Sequence, residues 1–265
     1  MCGISGLVNC GDGETLARMT NVQTHRGPDD SGLWEQRFPD GSYVGLGSRR
    51  LAILDLSSNG RMPMCNDDRT VWITYNGEIY NFRSLREELA GKGHRFYSNT
   101  DTEVVLRLYE QYGPDCVSRL NGIFAFAICD LRSGSRQLFL ARDHFGVKPL
   151  YYWQQGSKFA FASEIKALLE VPGISTELDP VALHQYLTFL WVPDPATMFK
   201  NIFKLQAGHH ASFRKDELNI SSYWDLTFPN ANSSFPKSED TLAEEIRARF
   251  EKSVTEQMVS DVPIG

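Results

Sequence analysis

The chain has 265 residues, 42% of them hydrophobic and 23% charged, with a formal net charge of −6, which suits one large domain, or one domain plus part of another, with a well-filled core. An acidic balance with no basic run argues against nucleic acid and anionic membrane surfaces as partners, and no apolar run approaches the roughly 20 residues that a membrane helix needs. Five cysteines, Cys2, Cys10, Cys65, Cys116 and Cys129, are odd in number and lack CxxC spacing, which argues against a disulfide framework or zinc site and for a reduced, cytoplasmic setting; the first residues have no signal-peptide character.

Ile4–Asn9 is predicted as a short strand ended by a Gly11-Asp12-Gly13 turn, with a helix over Glu14–Thr20. The third glycine of a nucleotide loop is missing, so Gly-x-Gly reads as a turn only. His25-Arg26-Gly27-Pro28-Asp29-Asp30-Ser31-Gly32 is a structured polar loop. Gly45–Leu54 is a strand carrying Arg49 and Arg50 into an apolar tail, and Asp55–Met64 is a loop. Thr70–Tyr75 is strongly β-prone and breaks at Asn76-Gly77, a strong turn signal. Phe82–Ala90 is a helix with Leu85 and Leu89 on one face. Asp101 is predicted to cap a helix that runs to Tyr112, with Val105, Leu108, Tyr109 and Tyr112 as its apolar stripe. Gly113-Pro114 stops it.

Ile123–Leu131 is apolar on both faces and reads as a strand buried from both sides. Gln137–Arg142, Pro149–Trp153 and Lys158–Ser163 follow as antiparallel strands joined by glycine-containing turns. Short helices are predicted over Glu164–Glu170 and Pro180–Phe189, the second capped by Asp179, with β pieces at Ile202–Leu205 and His210–Phe213. Phe228–Lys237 is a polar, proline-bounded linker. Thr241–Met258 is an amphipathic helix with Leu242, Ile246, Phe250 and Val254 every four residues. Antiparallel strand runs with helices inserted midway predict an α+β fold of sheets packed face to face and covered by helices.

Cys2 stands directly behind the initiator methionine. Its small side chain permits methionine removal, after which one residue carries a thiol of reference pKa about 8.5 and an α-amine near about 8. A nucleophile and a general base then share one carbon skeleton. Alone, Cys2 reads equally as a small residue opening a buried strand. Glutamine chemistry at such a site needs a holder for the carboxylate, a holder for the ammonium and donors for the oxyanion. Arg50 at a strand edge suits the carboxylate. Glu78 and Asp101 are available for the ammonium, and the Asn76 side-chain amide with the Gly77 backbone N–H for the oxyanion. Each has a plainer structural reading, as an ion pair, a cap or a hairpin turn, and it is their joint occurrence behind Cys2 that favours the chemistry.

Other constellations are weaker. A Cys2–His25 protease pair lacks the papain-type signature, and His209-His210 lack a spaced third ligand, so no metal site is assigned. His25 and His144 are expected to hydrogen-bond their own turns. Asp29 and Asp30 are adjacent acids rather than an opposed acid/base pair.

At this point the sequence resembles the class II glutamine amidotransferases, and within them the glutamine-hydrolysing asparagine synthetases. The marks are Met1-Cys2-Gly3-Ile4, RGPDDSG over Arg26–Gly32, Arg50-Leu51 before apolar residues, NGEIYN over Asn76–Asn81, and Asp101-Thr102-Glu103. RDHFGVKPLYY over Arg142–Tyr152, SEIKAL over Ser163–Leu168 and Tyr223-Trp224-Asp225 complete them. The resemblance implies an N-terminal-nucleophile hydrolase fold, a four-layer αββα sandwich of two mainly antiparallel sheets. It implies Cys2 as the nucleophile that forms a glutamyl thioester, with its own amine relaying the proton. Arg50 would bind the substrate carboxylate, with Leu51, Ala52, Ile53 and Leu54 lining the pocket. Asn76 and Gly77 would form the oxyanion hole, and Glu78 and Asp101 would hold the ammonium.

In that family the released ammonia passes to a synthetase domain that uses ATP and Mg to amidate aspartate. The SDVPIG run over Ser260–Gly265 would lead there into a pyrophosphate-binding SGGxDS loop that this sequence does not contain. The expected organisation is therefore an amidotransferase domain over 1–212, a connecting strand and linker over 213–240, and the first helix and start of a synthetase domain over 241–265. The chain would be a truncation, a gene fragment or one subunit of a split enzyme, with no cofactor of its own. Expected partners are glutamine and a synthetase domain or subunit, and a second copy of the chain is a further candidate. Two alternatives stay open: a non-catalytic module that docks on a separate synthetase subunit, and an amidotransferase that feeds a different acyl acceptor.

Overall fold

The computed structural model describes residues 1–134, 136–228 and 237–263. The predicted linker, apart from its end residues Phe228 and Lys237, lies outside the described residues, as do Ile264 and Gly265. The strands, in chain order, are β1 (Gly3–Val8), β2 (Asp30–Arg37), β3 (Tyr43–Arg50), β4 (Met64–Cys65), β5 (Val71–Ile79), β6 (Gly122–Asp130), β7 (Gln137–Arg142), β8 (Tyr151–Gln155), β9 (Lys158–Ala162), β10 (Ile202–Lys204), β11 (His209–Arg214) and β12 (Glu217–Ser222). The helices are α1 (Gly13–Asn21), α2 (Phe82–Gly91), α3 (Asp101–Tyr112), α4 (Ile165–Leu168), α5 (Pro180–Phe189) and α6 (Glu239–Gln257).

Two six-stranded sheets form, in the orders β10-β8-β9-β1-β3-β2 and β12-β11-β7-β6-β5-β4. Their pairings are antiparallel throughout the described residues. Side chains alternate across a strand, and that period sorts the apolar residues into three cores. From β6, Ala125, Ala127 and Cys129 face the other sheet and meet Ile4, Leu46, Phe159 and Phe161. From the same strand Phe124, Phe126 and Ile128 face outward, against Leu85, Leu89, Val105 and Leu108 of α2 and α3. On the first sheet's outer face, Leu7, Ala160 and Ala162 pack against Leu16 and Met19 of α1 and Ala167 and Leu168 of α4. Three cores separate four layers, so the chain is an αββα sandwich. Central strands buried on both faces carry small residues toward one neighbour and large ones toward the other.

The structure departs from the sequence reading at several elements. Asn76-Gly77 is not a turn: β5 continues through it to Ile79, paired residue by residue with β6 as far as Gly122. Neither residue takes a positive φ, which an Asn-Gly hairpin turn would require. The glycine serves close approach instead, since a Cβ there would lie 2.4 Å from the Ile123 carbonyl oxygen and 2.7 Å from the Phe124 Cα. Asp101 does not cap α3. The cap is Thr100, whose side chain accepts from the Glu103 N–H, and Asp101 begins the helix itself. Asp30–Gly32 open an edge strand rather than belonging to a loop, and β12 is a second edge strand, mostly exposed. Both were hidden by polar composition. Strands β7 and β8, expected side by side, lie in different sheets: β7 is held between β6 and β11, and β8 between β9 and β10. By contrast, helix α6 forms over the stretch expected to be an amphipathic helix and buries none of its residues, with Ile246 and Phe250 68% and 69% exposed.

Gly77→Ala should destabilise the fold by about 1–3 kcal/mol, the range of small-to-large changes in packed cores. Urea unfolding of the variant beside the wild-type chain measures it.

Candidate active site

Cys2 lies immediately before β1, a strand held between β9 and β3. Its thiol sulfur accepts the Leu51 N–H at 3.4 Å and approaches the Leu51 carbonyl at 3.7 Å. Its own carbonyl accepts from Arg26 Nε at 3.0 Å, and the Arg26 guanidinium bonds Glu164 at 2.9 Å. Two residues on, the Ile4 N–H donates to Ser163 Oγ at 3.0 Å and the Ile4 carbonyl accepts from Gln23 Nε2 at 3.2 Å. Burial works against ionised Glu164, but hydrogen bonds from Arg26, His25 and Lys166 hold its carboxyl at about 2. His25 therefore pairs with Glu164, 139 residues away, rather than with its own turn. His144 likewise leaves its turn and packs edge-on against Phe124, Tyr223 and Trp224.

Cys2, Arg50, Leu51, Ile53, Leu54, Asn76, Gly77, Glu78 and Asp101 all border one cavity of about 100 Å³. Ala52 does not: its N–H is turned to Asp29 Oδ2 at 2.9 Å. The volume is small beside the roughly 300–1,000 Å³ of drug-sized ligand pockets, so the site suits a small solute. A larger cavity, about 460 Å³, opens at the far end of β1 beside Val8, Tyr43 and Arg136 and holds none of the predicted residues. Size favours that cavity, but convergent polar groups favour the smaller one, and chemistry needs the groups.

Met62, Tyr75, Thr100, Thr102 and Lys148 also line the site and were missed from sequence. Lys148 had a signal, its place in RDHFGVKPLYY. The Asp143 carboxylate gathers the N–H groups of Phe124, Phe145, Val147 and Lys148, while Arg142 donates to the carbonyls of Gly146, Lys148 and Leu205. The motif is thus a backbone brace that delivers Lys148 to the cavity. A second brace holds the opposite wall: buried Glu103 accepts the Tyr97 and Ser98 N–H groups and the Ser98 hydroxyl, which shapes the turn leading into Thr100 and Asp101.

The electrostatics are those of a dry site. Burial raises the Asp101 carboxyl to about 6, against hydrogen bonds from the Tyr75 hydroxyl at 2.6 Å and the Ile79 N–H at 2.9 Å that lower it. Burial also raises the Cys2 thiol above its ordinary value, opposed by the Leu51 contact and the Arg50 charge. The chain-terminal ammonium is pushed down by burial, with the Lys148 and Arg26 cations adding to the effect. The Arg50 guanidinium donates to the carbonyls of Leu54, Asp55 and Ser57 at 3.0, 2.6 and 3.3 Å. The bidentate fork expected from sequence is thus largely engaged on the loop that follows Arg50. Asn76 is 1% exposed, on the same face of β5 as Thr74, whose hydroxyl donates across to Gly47 of β3. Its Nδ2 is buried and has no hydrogen-bond partner among the described residues. An orphaned buried donor costs about 1–3 kcal/mol, so its position on the cavity wall calls for an explanation in terms of what binds there.

The sequence profile of the glutamine amidotransferase domain family matches residues 1–224. Asparagine synthetase (glutamine-hydrolyzing) 3 of Bacillus subtilis (strain 168) is 42% identical over 272 residues, covering 100% of this chain and 42% of that protein. Asparagine synthetase (glutamine-hydrolyzing) 1 of the same organism is 38% identical, covering 100% and 41%. Amidase chry2 of Gibberella zeae is 34% identical, covering 100% and 40%. The chain thus spans less than half the length of these three relatives. Among solved structures, the B. subtilis glutamine phosphoribosylpyrophosphate amidotransferase in complex with ADP and GMP superposes with a TM-score of 0.61 at 16% identity, over 84% of this chain and 49% of that one. It shares the fold of two stacked antiparallel sheets. The profile match over most of the chain, the end-to-end relatives and the Cys2-centred cavity at the head of β1 place the protein among the class II glutamine amidotransferases.

Proposed function

We propose that this chain hydrolyses glutamine to glutamate and ammonia through a thioester on Cys2, and that the ammonia is passed to a synthetase region that amidates aspartate with ATP. The observation that carries the reading is that Cys2 and Asn76, whose buried Nδ2 has no hydrogen-bond partner among the described residues, line one small cavity. A buried thiol with a raised pKa stays protonated at neutral pH and needs a base. Removal of Met1 would supply it as the Cys2 α-amine, in surroundings that already keep an ammonium pKa low. Sγ attacks the side-chain amide carbon and the thiol proton passes to the amine. Asn76 Nδ2 and the Gly77 N–H receive the oxyanion. The amine then gives its proton to the leaving nitrogen, ammonia departs, and water cleaves the thioester to glutamate.

Asp101 and Glu78 would hold the substrate ammonium, and the N–H groups of Arg50 not engaged on the loop its carboxylate. ATP and Mg would belong to the synthetase region. Five free cysteines fit a reducing, cytoplasmic setting, and no helix among the described residues is long and apolar enough to cross a membrane. A second reading, an acceptor other than aspartate, is favoured by the equally full coverage of this chain by amidase chry2.

Cys2→Ala should release no ammonia yet still bind glutamine, and an electrophilic glutamine analogue should label the wild-type chain at Cys2 alone; full turnover in the variant contradicts the thioester. Asn76→Ala should lower kcat by about 10²–10³ with a smaller change in KM, as loss of one oxyanion donor does. With Asp101 raised to about 6, it is protonated below that pH and cannot neutralise an ammonium. Calorimetric titration of Cys2→Ala with glutamine should therefore show Kd rising as pH falls through about 6, and a flat profile in Cys2→Ala/Asp101→Asn.

A further inference from the structure

The least regular wall of the cavity is the run from Leu51 to Ser57, which forms no helix or strand up to residue 57. Such a segment keeps one shape only when its backbone polar groups are satisfied from elsewhere. Arg50 takes the carbonyls of Leu54, Asp55 and Ser57, and Asp29 takes the Ala52 N–H. The Asp55 carboxylate reaches the N–H groups of Ser57 and Asn99. Two further groups, the Ile53 carbonyl and the Asp55 N–H, are satisfied by one residue. The Asp261 N–H donates to the Ile53 carbonyl at 3.0 Å, and Asp261 Oδ2 accepts from the Asp55 N–H at 2.7 Å.

The clasp comes from far along the chain. Asp261 is 206 residues from Asp55, beyond the residues 1–224 that match the amidotransferase family. It follows α6, and nearby Val259 packs against the core between the second sheet and its helices. The clasped point is a conformationally costly one, because Asp55 has φ +53°, a left-handed geometry that persists when surrounding bonds hold it. Ile53, which carries the bonded carbonyl, and Leu54, between the two bonded groups, border the cavity.

Resting on the glutaminase reading above, we propose that Asp261 is a positioning residue for the glutamine pocket, setting the Ile53–Asp55 wall from outside the amidotransferase fold. The segment that leads out of this domain is thereby part of the mould in which substrate affinity is cast. Displacement of residues 259–261 would loosen the wall without touching Cys2, Asn76 or Asp101.

The test compares Asp261→Ala with Asp261→Asn in the full 265-residue chain. Asparagine keeps a side-chain oxygen to accept the Asp55 N–H, and alanine does not. Three readouts are taken: KM and kcat for ammonia release, alkylation of Cys2 by iodoacetamide, and hydrogen exchange of the Asp55 amide. The alanine variant should raise KM about three- to ten-fold, the weight of one hydrogen bond, with kcat and the alkylation rate within about two-fold and Asp55 exchange accelerated. The asparagine variant should stay near wild type. Unchanged KM and exchange in Asp261→Ala, or equal losses in both variants, overturn the proposal. Absence of ammonia release from the wild-type chain would instead sink the glutaminase reading. Asp55 exchange then decides the clasp alone: faster in alanine than in asparagine supports it, and equal rates end it.

Discussion

The first residues of a chain ordinarily fray, and the cavity that Cys2 borders depends on preventing that. The means is the placement of β1 between β9 and β3 in the first sheet, so that both its edges are paired. Ser163 and Gln23 bond Ile4 within the ladder, and Arg26 on the Cys2 carbonyl extends the restraint past it to Cys2. A terminal residue thereby becomes as well placed as an interior one. Arg26, the charged group among these, is itself held by Glu164, whose depressed pKa keeps that pair ionised across the ordinary pH range.

Rigidity at the head of β1 permits strain elsewhere around the cavity. Asp101 is buried with its carboxyl raised to about 6, Asn76 keeps an unpaired buried amide donor, and the thiol is held protonated by burial. None of these is favourable for the free protein. Under the proposed function the first two would become favourable with glutamine in the space, because its ammonium would stabilise the Asp101 carboxylate and the oxyanion would satisfy the Asn76 amide. The surrounding cores supply the stability against which such costs are set. Phe124, Phe126 and Phe139 on one face of the second sheet, and Phe159, Phe161 and Phe213 between the sheets, are all buried.

The signature runs shared with the family divide into two kinds once their contacts are known. Cys2, Asn76 and Asp101 put functional atoms on the cavity wall. Arg26, Asp143, Ser163 and Glu164 bond backbone or one another and shape the frame. Asp29, which the sequence left without a role, belongs with the frame through the Ala52 N–H. Arg50 straddles the two kinds, since it borders the cavity and holds three carbonyls of the loop beside it.

What the sequence determined by itself was the local grammar: most strands and helices apart from the polar edge strands β2 and β12, that β6 is buried on both faces, that α5 begins behind Asp179, and which residue types at which motif positions suit glutamine chemistry. Those properties follow from side-chain period, propensity and capping, and each acts within a few residues. Only the tertiary structure decided that Asn76-Gly77 runs straight as strand rather than turning, because the choice rests on β6 lying close enough to need a glycine opposite Phe124. It also decided that Thr100 and not Asp101 caps α3, since the Asp101 carboxylate is claimed by Tyr75 and Ile79 across the fold. The placing of His25 on Glu164, of Lys148 at the cavity and of Asp261 on Asp55 are of the same kind. In each, the partner is many residues away, and a bond between distant residues carries no local trace, because its energy is realised only after the sheets have stacked.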